Sequence, residues 1–234
     1  MPRSNPNEVS SNPAQRWFLW NGATGNIKYY DKESQSEINI ELPFEFILLD
    51  RLSVIRGWHD ASESGIYSNE VRRTMDEPFT VRAFKMKEII AQGFYSEVKD
   101  RIKAAGGKYN ASLYIAFTDD SGELAIGNLM LHGGAMSAWL EFEKSNKKEI
   151  FTKGIKITSF TEGKKGGIKF RVPVLELVEI DYQIDAKAEE LQKELQKHLV
   201  KYLSRKTETK DVEPDQDSIG GEITPSDEED EIPF

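Results

Sequence analysis

The chain has 234 residues, 38% of them hydrophobic and 30% charged, with a net charge of -9 and no cysteine. This balance suits one fair-sized core, and the lack of cysteine excludes disulfides and thiolate zinc sites. No apolar run approaches the roughly 20 residues of a membrane span, and residues 1–6 lack the apolar segment of a secretory signal. We therefore expect a cytoplasmic protein without a membrane partner.

The negative charge is concentrated at the C-terminus. Residues 207–234 contain 11 acidic residues and one basic residue, Lys210, which gives this segment a net charge of -10 and leaves +1 for residues 1–206. A body that is nearly neutral overall can still carry a local basic surface. The total charge therefore does not exclude binding to nucleic acid.

The first half of the chain has the pattern of short strands. Aromatic and β-branched residues alternate with groups of Gly, Pro and Asn, as in strands joined by turns. The predicted strands are residues 16–21, 26–30, 38–42, 44–58, 65–68 and 79–85. The fourth is long, and a strand of that length usually bends around a barrel.

The second half adds helices to the strands. A helix is predicted over residues 87–105, ended by the cap signal Gly106-Gly107, and a second runs from Gly133 to about residue 147. The predicted strands in this half are residues 109–118, 124–131, 155–160 and 168–180.

A third helix is predicted over residues 185–203, because apolar residues recur there at steps of three and four. The stripe consists of Ile184, Ala188, Leu191, Leu195, Leu199 and Tyr202. It either docks the helix on its own domain or forms the contact of a homodimer.

Many short strands with a few inserted helices predict a mainly β protein of the α+β class. Among such folds we expect an OB-fold-like small β-barrel, because a bent early strand and inserted helices fit its order. The predicted organisation is a flexible N-terminal arm (1–15), an OB-like domain with a C-terminal helix (16–204), and a disordered acidic tail (205–234).

The C-terminal tip is the most specific feature of the sequence. It reads Asp227-Glu228-Glu229-Asp230-Glu231-Ile232-Pro233-Phe234. This ending resembles the tip of bacterial single-stranded-DNA-binding proteins (SSBs), where acidic residues precede Ile-Pro-Phe. Bacteriophage single-stranded-DNA-binding proteins of about this size also end in an acidic tail with a terminal aromatic residue, and a phage origin is our expectation.

The resemblance covers about eight residues and the general layout of body, linker and tip. It implies a protein that protects single-stranded DNA in replication, recombination and repair and recruits partner proteins through the tip. Physical chemistry supports the second role, because the Phe234 ring fits a small apolar pocket while its carboxylate pairs with a basic group at the rim. Pro233 restricts the preceding backbone and so lowers the entropy lost on binding.

Sequence-independent binding of single strands requires flat side chains for base stacking and cations for phosphates. Aromatic and basic residues adjoin in several predicted strands. The candidate DNA contacts are Tyr29, Arg56, Trp58, Tyr67, Arg72, Arg73, Arg82, Phe84, Lys85 and Lys108. Alternation within residues 79–85 places Phe84 on the face of Arg82, opposite Val81 and Ala83, so we predict that Phe84 is an exposed stacking platform.

No catalytic motif accompanies these residues. The sequence lacks a phosphate-binding loop and a nucleophile elbow, and His59, His132 and His198 lack metal-ligand spacing. We therefore expect neither an enzyme nor a cofactor. Two alternatives to a strand-coating protein are a strand-annealing recombination protein, and an interaction or inhibitor protein that binds no DNA and uses its tip to occupy pockets of host replication proteins.

Overall fold

The computed structural model describes residues 12–86 and 88–204. These residues form eleven strands and three α-helices. The strands are β1 (Arg16–Asn21), β2 (Asn26–Asp31), β3 (Ser36–Ile40), β4 (Phe44–His59), β5 (Ser64–Ser68), β6 (Phe79–Ala83), β7 (Ile89–Gly93), β8 (Gly107–Thr118), β9 (Leu124–His132), β10 (Gly154–Lys165) and β11 (Ile168–Val178). The helices are α1 (Tyr95–Ala104), α2 (Gly133–Ser145) and α3 (Tyr182–Ser204).

The protein is mainly β with helices added, in agreement with the predicted α+β class. Nine strands follow one another in the order β3-β2-β1-β9-β8-β4-β5-β6-β7, and β10 and β11 branch from β4. Neighbours in this order are antiparallel except for β1 and β9, which are parallel. The path ends at β3 and β7, so these strand pairs do not close a ring within the described residues.

The long strand β4 organises the sheet. On one side it pairs with β8 from Ile47 to Gly57, with a register shift between Leu48 and Asp50. On its other side, β10 pairs with the first residues and β5 with the last, from Arg56 to His59. β4 therefore changes its partner on this side along its length, from β10 to β5.

The β10–β11 hairpin also reaches the turn between β1 and β2. The Arg171 backbone N–H donates to the Gly22 carbonyl over 2.7 Å. The Trp20 indole N–H in turn donates to the Arg171 carbonyl over 2.9 Å. These two bonds connect the last hairpin of the chain to the first one.

The helices pack on opposite faces of the sheet. α2 contributes Ala135, Met136 and Trp139 to the largest apolar cluster, together with residues of β1, β2, β4, β8, β9 and β10. α3 packs on the other face, where its apolar stripe meets Leu52, Tyr114 and Ile126. The sequence left open whether the apolar stripe of α3 docks on its own domain or forms a dimer contact. The structure shows that it docks on this chain's own sheet.

The helix predicted over residues 87–105 is wrong in its first part. Residues Ile89–Gly93 form β7, which pairs with β6, and α1 begins only at Tyr95. The β-branched pair Ile89-Ile90 suits an edge strand, and Gly93 has a φ of 145°, which breaks the chain direction before the helix. Glu97 then accepts a hydrogen bond from the Phe94 backbone N–H at the helix start.

Part of the predicted arm contacts the body. The Asn12 amide donates to the Tyr114 hydroxyl over 3.3 Å, and the Gln15 backbone N–H donates to the Ile126 carbonyl. Residues 1–11 lie outside the described residues. Across 12–86 and 88–204, no helix combines the length and apolar character required to cross a membrane.

Candidate nucleic-acid interface

Four of the predicted contacts lie side by side across four adjacent strands. Arg56 of β4 is directly opposite Lys108 of β8 on one side and Tyr67 of β5 on the other. Tyr67 is in turn opposite Arg82 of β6. Directly opposed residues of antiparallel strands share a face, with Cα atoms about 4.5–5.5 Å apart. Lys108, Arg56, Tyr67 and Arg82 thus form a row, which we call the cross-strand row.

Two further aromatic side chains adjoin the cross-strand row. Trp58 lies two residues after Arg56 and so projects from the same face of β4. Phe84 lies two residues after Arg82, and its ring packs on the Tyr67 ring with centroids 4.6 Å apart and an interplanar angle of 32°. Phe84 is 37% exposed, so part of this residue is open to solvent.

Glycine allows these aromatic rings to lie close to the backbone. The register partner of Trp58 is Gly65, and a Cβ there would lie 3.2 Å from the Phe84 ring. The Phe84 backbone N–H donates to the Gly65 carbonyl over 3.0 Å, which fixes this residue beyond the end of β6. Trp58, Tyr67 and Phe84 together form an aromatic platform beside the three cations of the row.

The opposite face of the same strands is a rigid core. Ile55, Ile66 and Val81 are at most 1% exposed and pack with Val98 and Ile102 of α1. Alternation between this buried face and the row confirms the predicted facing of Val81 and Ala83. The row therefore lies on strands whose reverse side fixes their positions.

A buried carboxylate lies beside the row, on the same face of the sheet. Glu70 is 8% exposed and accepts hydrogen bonds from the Ser112 hydroxyl over 2.5 Å and the Tyr114 hydroxyl over 2.9 Å. The Asn128 amide donates to Ser112 over 2.7 Å and extends the network to β9. The Glu70 backbone N–H donates to the hydroxyl of Tyr202, near the end of α3, over 3.3 Å.

The charge of Glu70 acts on two neighbours. Burial raises the pKa of the Tyr114 hydroxyl well above its usual value, and the Glu70 carboxylate raises it further. Burial lowers the pKa of the Arg56 guanidinium, whereas Glu70 opposes that decrease. A buried carboxylate near a half-buried arginine compensates part of the cost of removing both charges from water.

The C-terminal end of α3 sets the limit of the open surface. The body of α3 covers Leu52, Tyr114 and Ile126 on this face of the sheet. Tyr202 reaches the loop after β5, and beyond it the cross-strand row begins. The row thus lies on the same sheet face as α3, past the C-terminal end of that helix.

Four predicted contacts lie elsewhere. Tyr29 belongs to the main apolar cluster, with its ring 5.8 Å from that of Phe18, so its ring is not kept as a stacking candidate. Arg72 pairs with Asp50 through two bonds of 2.9 and 2.6 Å and also reaches Gln196 of α3. Arg73 pairs with Asp76 within the same loop, and Lys85 lies exposed just past Phe84.

Sequence reasoning missed the buried polar residues beside the row. Glu70 reads as an ordinary loop carboxylate, and its partners Ser112 and Tyr114 lie 42 and 44 positions away. The bridge between Val71 and Ser53 of β4 and the pairing of β4 with β8 bring them together, and no local pattern encodes that register. The tip at 227–234 lies outside the described residues.

Within 12–86 and 88–204, no group of His, Asp or Glu side chains is placed to hold a metal ion. Compared with known proteins, the chain matches no protein-family model, no curated protein and no solved structure.

Proposed function

We propose that this chain is a sequence-independent single-stranded-DNA-binding protein without catalytic activity. The observation that carries the proposal is the cross-strand row with its aromatic platform. Arg56, Arg82 and Lys108 supply cations for phosphates, and Tyr67, Phe84 and Trp58 supply flat faces for bases. The acidic Ile-Pro-Phe ending supports the same function and adds recruitment of replication and recombination proteins.

The proposed fold is a partly open OB-like barrel built from β4, β8, β9, β10 and β11. The three-way pairing of β4 and the hydrogen bonds of Arg171 support this arrangement. OB-folds bind oligonucleotides on the face of their second and third strands and through the loop between the first and second. In this chain β5, β6, β7 and α1 occupy that connection, between β4 and β8.

α3 covers the outer face of β8 and β9, where an OB-fold would bind its ligand. Binding is therefore shifted past the end of α3, onto the row. This displacement explains why the proposed contacts lie at the end of β4, the start of β8 and the inserted strands β5 and β6 rather than on β9.

The test is a fluorescence titration with oligothymidine at low salt. Trp20 and Trp139 are buried and Trp17 packs against Tyr114, so Trp58 is the expected reporter. We expect sub-micromolar binding with quenching, an affinity that falls with salt, and weak competition by duplex DNA. Trp58→Phe should retain most of the affinity and lose most of the quenching.

Residues 1–206 provide the companion measurement, because they lack the acidic segment. If both forms bind and the shorter binds more tightly, the tail competes with DNA for the cationic surface. The absence of binding at low salt by both forms would refute the proposal and favour an interaction protein.

A further inference from the structure

An open groove lies at the C-terminal end of α2, away from the cross-strand row. It is lined by Leu140, Glu143, Lys144, Lys147, Ile150 and Phe151 and has a volume of about 450 Å³. We call it the α2 groove. Phe151 is 55% exposed, an unusual position for a phenylalanine, whereas Ile150 beneath it is buried. The groove therefore offers an apolar floor that its own chain leaves open within the described residues.

The rim of the α2 groove is positively charged. Its one carboxylate, Glu143, is already engaged by Arg51, and nearby Glu149 pairs with Lys153. Lys144 and Lys147 take part in none of the ion pairs formed among residues 12–86 and 88–204, and Lys148 adds a third positive charge beside them. A ligand for this groove should combine an apolar end with negative charge.

We propose that the α2 groove binds the chain's own C-terminal tip, residues 227–234. The tip combines five consecutive acidic residues with Ile232, Pro233 and the terminal Phe234. The Phe234 ring and Ile232 pack against Leu140 and Phe151, the α-carboxylate pairs with Lys144 or Lys147, and the acidic run faces the rim.

The length of the chain permits this contact. Phe234 lies 30 positions after Ser204, the last residue of α3. A chain of that length spans up to about 100 Å when extended, whereas a domain of this size has a radius of gyration of roughly 16 Å. Tethering gives the tip an effective concentration of about 1 mM, so even weak intrinsic affinity fills the groove.

Docking in the α2 groove leaves the row uncovered. Arg51, which contacts Glu143 of α2, and Arg56 of the row are five positions apart in β4 and project from opposite faces. Docking of the tip therefore needs no DNA and does not rest on the proposed function. The α2 groove is then a storage site for the tip, from which a partner protein with a stronger pocket withdraws it.

The test uses the full-length chain with Phe234→p-benzoylphenylalanine, irradiated without DNA, followed by mass spectrometry of the cross-linked peptides. We expect cross-links concentrated within residues 140–151. The double substitution Lys144→Glu and Lys147→Glu should reduce them by about fivefold, because it reverses the rim charge. Lys193→Glu with Lys197→Glu, two exposed positions on α3, is the matched control and should leave them unchanged.

A mixture of isotopically heavy and light chains shows whether the tip comes from the same or a second copy. We expect cross-links within one chain, because the tether raises the local concentration of the tip, and cross-links mainly between heavy and light chains would overturn the proposal. Cross-links that map to the cross-strand row, that spread evenly over the surface, or that fail to form would overturn it. Oligothymidine binding is measured on the same samples. If no cross-links form within residues 140–151 but oligothymidine still binds, the docking alone is refuted. If these cross-links form but oligothymidine does not bind, the proposed function alone is refuted.

Discussion

At the scale of single residues, Tyr67 is the centre of the proposed interface. It lies between Arg56 and Arg82 in the row and packs against Phe84, so it contacts each kind of group that the site uses. Its position depends on the register of β4, β5 and β6, which Gly65 and the buried reverse face fix.

Tyr67→Ala should therefore weaken binding to oligothymidine. Loss of one stacking platform costs about 1–3 kcal/mol, or roughly 5- to 150-fold in affinity. Equilibrium titration measures the change. Tyr182→Ala is the control, because Tyr182 is 84% exposed at the start of α3 and distant from the row in the fold. Equal affinities of the two variants would exclude Tyr67 from the interface.

Tyr114 should make stability depend on alkaline pH. Its hydroxyl is buried against Glu70, and its pKa in the folded chain is raised well above the usual value. Up to about pH 10 both states keep the proton and this contribution is constant. Above it only the unfolded state loses the proton, so the free energy of unfolding falls by about 1.4 kcal/mol per pH unit until the folded pKa is reached.

Urea unfolding of wild type and Tyr114→Phe from pH 8 to pH 11 tests this dependence. The variant should be less stable at pH 8, because Glu70 loses a hydrogen bond, but its stability should decline less steeply above pH 10. Parallel curves would show that Tyr114 titrates similarly in both states.

At the scale of elements, the loop between β5 and β6 joins α3 to the sheet. Asp50 of β4 is 8% exposed and accepts both bonds from Arg72, while Gln196 of α3 donates to the same carboxylate over 2.6 Å. This arrangement holds α3 against β4 and thereby defines where the open surface begins.

Arg72→Ala should lower stability without changing DNA affinity beyond about twofold. The substitution leaves a largely buried carboxylate with fewer donors, which costs about 1–2 kcal/mol after allowance for the partial exposure of Arg72. Arg73→Ala is the matched control, since its side chain is 78% exposed and it pairs only within the loop. A tenfold loss of DNA affinity in Arg72→Ala would restore it to the interface.

Local pattern was sufficient for most elements. Alternation and turn residues predicted β1, β4 and β6 closely, and the apolar stripe predicted α3. Pattern failed at Ile89–Gly93, where five residues are too few to show a period and helical residues follow directly. The pairing of this segment with β6 determines that it is a strand, and such pairing depends on the tertiary structure.

The sequence predicted which types of residue form the candidate site, but not how the fold arranges them in space. Trp58, Tyr67 and Phe84 were identifiable as aromatics beside cations. The register that aligns Lys108, Arg56, Tyr67 and Arg82 joins strands up to 52 positions apart, and a shift of one residue would place them on the other face. The ion pair of Arg72 was not predictable either, because its largely buried partner Asp50 lies 22 positions away.

At the scale of the whole molecule, the sheet separates two surfaces of different chemistry. One face carries α3 and, past its end, the cationic and aromatic row. The other carries α2 with its basic-rimmed groove. The chain carries a charge of -10 in residues 207–234 and +1 in the rest, and its nearly neutral body presents positive groups on both faces.

The central claim is that the cross-strand row binds DNA. It is tested most directly by ultraviolet cross-linking of the full-length chain to an oligonucleotide that carries 5-iodouracil. Halogenated bases cross-link to aromatic side chains on which they stack, and mass spectrometry identifies those residues. We expect cross-links at Trp58, Tyr67 and Phe84 that disappear in the Tyr67→Ala, Phe84→Ala double variant except at Trp58. Cross-links confined to the basic β10–β11 hairpin, around Lys164 and Lys169, would contradict the assignment of the row as the interface.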